Sequence, residues 1–130
     1  MVVLDTDLLV ALLRGNEEAI EKVRNIGGQG EACITSITSY ELYKGVYLSS
    51  NPAKNLIQVN NLLNNIKILH FDLESSKISA EIYPHLKKKG ALTNIMDQMI
   101  ASIAISKNET LITRNLKHYK NTPNLRIESW

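Results

Sequence analysis

Three acidic residues stand where chemistry is readily housed. Asp5 closes the apolar run Met1-Val2-Val3-Leu4, Glu41 lies in Thr38-Ser39-Tyr40-Glu41-Leu42, and Asp97 lies in Asn94-Ile95-Met96-Asp97-Gln98-Met99-Ile100-Ala101. A short β-branched stretch that stops on a carboxylate and turns into a helix puts that carboxylate at the C-terminal edge of a sheet. In open α/β sheets that edge is where ligands collect. If the three acids converge, they repel one another and raise their own pKa values unless a cation joins them. Hard, charged oxygen donors suit Mg2+, with Mn2+ as a substitute and water completing the shell. A metal held in this way lowers the pKa of a bound water and neutralises charge on a phosphodiester oxygen. Asp5 and Asp97 are the expected principal ligands. Glu41 is expected to bind through water or to orient the attacking water. Thr6 and Thr113 are expected in support, the latter bonding a carboxylate or a water. The residues leave open whether one ion or two are held.

Each acid also has a structural explanation. Asp5 can satisfy backbone donors at the turn after the strand. Asp7 is best read as a helix N-cap. Glu41 follows Thr38 at capping-box spacing, and Asp97 falls in a first helical turn, where a carboxylate is favourable in any case. What shifts the balance is their common placement at strand ends or helix starts bordering one sheet edge. Asp97 is expected to face along its helix with Ala101 and Ala104, while Met96, Ile100 and Ile103 mark a separate apolar face.

The elements that must position these acids follow from patterning. Residues 1–5, 32–35, 66–69 and 109–113 read as strands, with a short fifth at 126–128. Helices are expected from Asp7 to Leu13, after Asn16, over about 37–49, over 53–65 after the Asn51-Pro52 break, from Asp72 or Ser75 to about Lys89, and over 94–106. Pro84 predicts a kink or break. The stretch Gly27-Gly28-Gln29-Gly30 is a loop, too irregular for a phosphate-binding motif. Strands alternate with helices, which predicts a three-layer α/β/α domain spanning 1–130, with a mainly parallel central sheet of four to five strands.

Composition narrows the function. With 130 residues and 44% hydrophobic content the chain can bury an aliphatic core. A net charge of +2 means that contact with a polyanion must come from a local patch. The single cysteine, Cys33, cannot form an internal disulfide or a cysteine-based zinc site, and His70, His85 and His118 are isolated. No apolar run approaches the ~20 residues of a membrane span, and the N-terminus carries no signal-peptide pattern. A cytoplasmic protein with no membrane contact is the expectation.

Taken in order, these residues resemble the PIN-domain ribonucleases, most closely the VapC-type toxins of toxin–antitoxin pairs. The resemblance covers nearly the whole chain. It runs through Val3-Leu4-Asp5-Thr6-Asp7, then Ile34-Thr35-Ser36-Ile37-Thr38 to Glu41-Leu42 and Gly45, then Asp97-Gln98-Met99-Ile100-Ala101. It continues through Leu111-Ile112-Thr113-Arg114-Asn115 and His118-Tyr119 to Leu125-Arg126-Ile127-Glu128-Ser129-Trp130. The resemblance implies a PIN-like fold, magnesium-dependent endoribonuclease activity, a homodimer and a cognate antitoxin that blocks the acidic site. Many relatives carry a fourth acid where this chain has Asn115. An amide there can hold a water or touch a metal weakly but adds no charge, which puts a second metal site in doubt.

An acidic pocket needs cations outside it to attract RNA. Arg114, Lys117, His118 and Lys120 follow the fourth strand and are candidate phosphate contacts, and Lys87, Lys88 and Lys89 form a second cluster. Both also read as solvated ends. Tyr40, Tyr43 and Tyr47 recur at helical spacing, as a core or subunit-interface stripe or as a base-stacking face. Trp130 is expected to pack. Two other functions remain open: a PIN-like module that binds RNA or a partner without cutting, and a phosphatase of the haloacid dehalogenase type suggested by Asp5-Thr6-Asp7. The latter lacks the expected threonine or valine, since Leu9 stands there.

Overall fold

The computed structural model describes residues 1–27 and 31–130, so the glycine loop expected at 27–30 lies, past Gly27, outside the described residues. In chain order the elements are β1 (Val2–Leu4), α1 (Thr6–Leu13), α2 (Glu17–Gly27), β2 (Ala32–Thr35), α3 (Ser36–Leu48), α4 (Pro52–Asn64), β3 (Lys67–Leu69), α5 (Leu73–Lys88), α6 (Ile95–Ser106), β4 (Thr110–Ile112), α7 (Leu116–Tyr119) and β5 (Arg126–Glu128). The strands form one sheet in the order β3-β2-β1-β4-β5. Every pairing is parallel, with Val3 opposite both Cys33 and Leu111. This is the α/β architecture expected from the alternating pattern.

A parallel sheet covered on both faces must send alternate side chains into two separate cores. Val3, Cys33 and Leu111 point into one, with Ile100, Ala101, Ile103, Ala104 and Tyr119. Their chain neighbours Leu4, Ile34 and Ile112 point into the other, with Leu8, Leu9, Ala19, Leu42, Val46 and Val59. α1 to α4 thus cover one face and α6 with α7 the other, and α5 packs on the outside of α6. The strand order reverses at β1, which sends β2 to one side and β4 to the other. The C-terminal ends of β1 and β4 flank that switch point, where an open α/β sheet forms a crevice.

Four local expectations are corrected. Asp5, not Asp7, caps α1: its Oδ1 accepts from the Thr6 N–H at 2.9 Å. The helix starts one residue after the strand ends, so the cap falls on the strand's last carboxylate. Thr35, not Thr38, caps α3 by accepting from the Thr38 N–H at 3.1 Å, which leaves Glu41 out of any capping box. α5 runs unbroken through Pro84. Pro84 and Ala80 both lie on the exposed face, so the carbonyl that loses its partner faces water rather than protein. The two faces expected on α6 also merge, because Ile100, Ala101, Ile103 and Ala104 are all fully buried between the sheet and α5. Among the described residues no helix is long and apolar enough to cross a membrane.

Candidate active site

The chain leaves β1 at Asp5 and enters α1 at once, so Asp5 and Asp7 both stand at the switch point. Glu41 arrives from the second turn of α3 and Asp97 from the first turn of α6. Asp5, Thr6, Asp7, Glu41, Asp97 and Asn115 line one open cleft of about 640 Å³, together with Arg14 and Asn16. The three acids singled out from sequence are therefore brought together, and Asp7 joins them.

Each carboxylate is held by a specific donor. Asp5 is almost fully buried, at 3% exposure. Its Oδ1 accepts from the Thr6 N–H and, at 3.2 Å, from the Tyr119 hydroxyl, while Oδ2 accepts from Thr113 Oγ1 at 2.7 Å. Asp97 accepts from the same Tyr119 hydroxyl at 3.3 Å through Oδ1, and its Oδ2 meets His118 Nδ1 at 2.9 Å. Glu41 Oε1 accepts from Thr6 Oγ1 at 2.7 Å, and the Thr38 hydroxyl stands 3.1 Å from the same Oγ1. Asp7 Oδ2 accepts from the Arg114 N–H at 2.8 Å, and Oδ1 accepts from Trp130 Nε1 at 3.3 Å. Thr6 is thus bonded to Glu41 and Thr113 to Asp5.

The electrostatics are those of carboxylates gathered at a buried sheet edge. Burial pushes the Asp5 carboxyl up to about 7; the charges of Asp7 and Asp97 add to the rise, and the bonds from Thr113 and Thr6 oppose it. Burial, followed by the charges of Asp5 and Asp97, pushes the Tyr119 phenol far above its ordinary range, so it remains a protonated donor.

Among the described residues no group of three or more His, Cys, Asp or Glu is arranged to hold a metal ion. The carboxylates share a cleft without closing on one point. Magnesium keeps several waters and is held by one or two carboxylates plus substrate oxygens rather than by a closed protein cage. Asp5 and Asp97, each within hydrogen-bond reach of one phenol oxygen, supply two hard donors facing a cleft open to water.

The basic candidates separate. The Arg114 guanidinium lies 3.6 Å over the Trp130 ring, pairs with Glu18, and donates from Nε to the Trp130 carbonyl at 3.0 Å. That is structural employment, to which a planar, stacking cation is suited. His118 is half exposed and turned onto Asp97. Lys117 and Lys120 are exposed and without an acidic partner among the described residues. Asn115 lines the cleft, makes no side-chain capping bond, and donates its N–H to Thr113 Oγ1 at 3.0 Å. The tyrosine stripe divides. Tyr43 packs inward and donates to Asn60 at 2.7 Å, while Tyr40 and Tyr47 are exposed. Trp130 is packed, as expected.

Sequence reasoning missed Asp7 and Arg14 as cleft residues, and Tyr119 as the buried donor beneath them. Asp7 carried a signal, its spacing of two from Asp5 at a helix start, but that spacing also fits a cap. Arg14 ends α1 beside Gly15, whose φ of +75° turns the chain at the cleft rim. Tyr119 entered only through the resemblance, with no role attached, because a tyrosine after a basic run reads equally as core.

The fold and its acidic switch point define a class, and comparison with known proteins identifies it. The PIN domain profile matches residues 2–123. The tRNA(fMet)-specific endonuclease VapC of Salmonella typhimurium is 32% identical over 127 residues, which is 98% of this chain and 96% of that protein. Ribonuclease VapC2 of Rickettsia felis is 30% identical over 128 residues, again 98% and 96% of the two chains. Among solved structures, VapBC2 from Rickettsia felis bound to a DNA fragment from its promoter superposes with a TM-score of 0.93 at 29% identity, covering 100% of this chain and 99% of that one. DNA-bound VapBC from Salmonella typhimurium gives 0.90 at 31% identity, covering 100% and 99%. The chain belongs to the PIN-domain family and, within it, to the VapC type.

Proposed function

We propose that this protein is a magnesium-dependent endoribonuclease and the toxin of a toxin–antitoxin pair. The observation that carries the proposal is the gathering of Asp5, Asp7, Glu41 and Asp97, from three separate stretches of chain, around one open cleft at the switch point. RNA as substrate is supported by the names of the VapC relatives, and an antitoxin partner by the toxin–antitoxin complexes among the structural neighbours.

Asp5 and Asp97 would hold Mg2+, or Mn2+ in its place, with Glu41 reaching it through water. A bound ion there supplies a water of lowered pKa and neutralises charge on the scissile phosphate. The protein's own groups do the rest. Thr6 fixes Glu41 so that its carboxylate orients the attacking water and takes up its proton. Thr113 holds Asp5 from the side opposite Thr6. Arg14, exposed on the cleft rim and unpaired among the described residues, offers an RNA phosphate the cation that the acids lack. Lys117 and Lys120 extend that contact, and Arg114 does not take part. Asn115 contributes a neutral amide, while Asp7 brings the carboxylates of the cleft to four.

An antitoxin would cover this cleft, and a homodimer in the cytoplasm is the assembly proposed. The phosphatase reading fails, because PIN-family membership excludes it and Asp7 is tied down by the Arg114 N–H and Trp130 instead of being free for proton transfer. The test is RNA cleavage by Asp5→Asn and Asp97→Asn variants that remain folded. Both should lose activity, EDTA should abolish it in the unmodified protein, and Mg2+ or Mn2+ should restore it. Cleavage that persists in EDTA would refute the mechanism. RNA binding without turnover in either metal would favour a non-catalytic binding module.

A further inference from the structure

One phenol oxygen stands between two acids that come from distant stretches of the chain. Tyr119 Oη lies 3.2 Å from Asp5 Oδ1 and 3.3 Å from Asp97 Oδ1. Its ring is fixed: Tyr119 is 2% exposed and packs with Val3, Ile100 and Leu111 beneath the switch point. α7 spans only Leu116–Tyr119, yet its last two residues contact both oxygens of Asp97, His118 on Oδ2 and Tyr119 on Oδ1.

A hydroxyl has one proton and can donate to one carboxylate at a time. Shared between two, it holds both near one point without neutralising either. Two like charges left to themselves would separate or protonate. Asp5 is locked by Thr6 and Thr113, but Asp97 is tied only through α7. Asp97 is therefore the acid free to move, and the phenol limits that movement from a rigid core position.

We propose that Tyr119 is a positioning residue that presets the Asp5–Asp97 pair for a divalent cation. This rests on the metal-dependent reading of the site. Groups that orient metal ligands commonly change affinity by about 10–100-fold when removed. Tyr119→Phe removes the hydroxyl and keeps the ring, so the core remains filled. The experiment titrates Mn2+ alone into the full chain and follows free Mn2+ by electron paramagnetic resonance, with circular dichroism to establish folding. RNA cleavage is then measured as a function of Mg2+. The expected result is Mn2+ binding weakened about tenfold, with a matching rise in the Mg2+ concentration needed for half-maximal cleavage. The rate at saturating Mg2+ should be retained, since a purely structural defect would not be rescued by the ion.

Equal Mn2+ affinity in the two proteins would overturn the inference and leave the metal-dependent reading intact. Tighter binding by Tyr119→Phe would also overturn it, because the hydroxyl would then be competing with the ion for the carboxylates. An unmodified protein that binds no Mn2+ would end both.

Discussion

The acid that the proposed activity needs most is also the one that burdens the metal-free fold. Asp5 titrates near 7 in the folded protein and near 3.8 when its carboxyl is solvated. Between those values the native state binds more protons than the unfolded chain, so unfolding free energy falls as pH rises. The penalty is absent below pH 3.8 and complete above about 7. At about 1.4 kcal/mol per pH unit, the separation sets a ceiling of roughly 4 kcal/mol. Asp5→Asn mimics the protonated acid and should recover most of it. The amide oxygen can still accept from the Thr6 N–H and the Tyr119 hydroxyl. The amide nitrogen then faces Thr113 Oγ1, which can accept from it while turning its own proton to Asp7 Oδ2, 3.3 Å away. Allowing for that rearrangement, a gain of about 2–3 kcal/mol at pH 8 is expected, or roughly 6–15 °C in Tm.

The assay is urea unfolding of both proteins in EDTA across pH 4.5 to 8.5, a range chosen to span the titration, with about 1.4 kcal/mol of slope per pH unit to be resolved. The difference should be small at the acid end, widen through neutrality, and level off. Titrating groups remote from Asp5 are common to both proteins and cancel in the difference. Added Mg2+ should then stabilise only the unmodified protein, through preferential binding to its native state. A variant less stable at pH 8, or a difference that does not change with pH, would refute the description of Asp5 as a buried carboxyl strained by burial and by its neighbours.

Two further perturbations separate the surrounding residues. Arg14→Glu should weaken RNA binding by Asp97→Asn protein and lower the dependence of log affinity on log salt by about 1; filter binding at several salt concentrations measures it. Arg114→Ala should leave that slope unchanged, because its guanidinium is held by Glu18 and Trp130, but should cost about 1–2 kcal/mol on urea unfolding through the lost stacking and hydrogen bonds. Thr113→Val removes the 2.7 Å donor to Asp5. It should lower stability by about 1–3 kcal/mol at pH 8, where the carboxylate is charged, and by less at pH 5. An equal loss at both pH values would show that the hydroxyl serves the strand end and not the acid.

What the sequence made legible follows the physics of periodicity. Strands covered on both faces appear as short apolar runs, and their order with helices leads to the parallel sheet. Asp5, Glu41 and Asp97 were legible because carboxylates among apolar neighbours at element boundaries are conspicuous. Caps were misassigned by two or three residues because Asp5 and Asp7, or Thr35 and Thr38, offer equivalent chemistry at nearby positions. Only the helix's actual first turn decides between them. The same degeneracy hid Asp7 from the site: once Asp5 takes the cap, Asp7 is released to the Arg114 N–H and Trp130. Tyr119 and Arg114 were unreadable for another reason. Their roles come from partners 114 and 96 residues away, Asp5 and Glu18, and no local pattern encodes a contact at that separation. The segment after β4 thus exchanges the roles its composition suggests: its first cation is structural, its tyrosine reaches the acids, and its histidine meets Asp97. If that exchange is correct, Tyr119→Phe should disturb metal binding more than Arg114→Ala does, although the arginine is the residue that composition alone would have chosen.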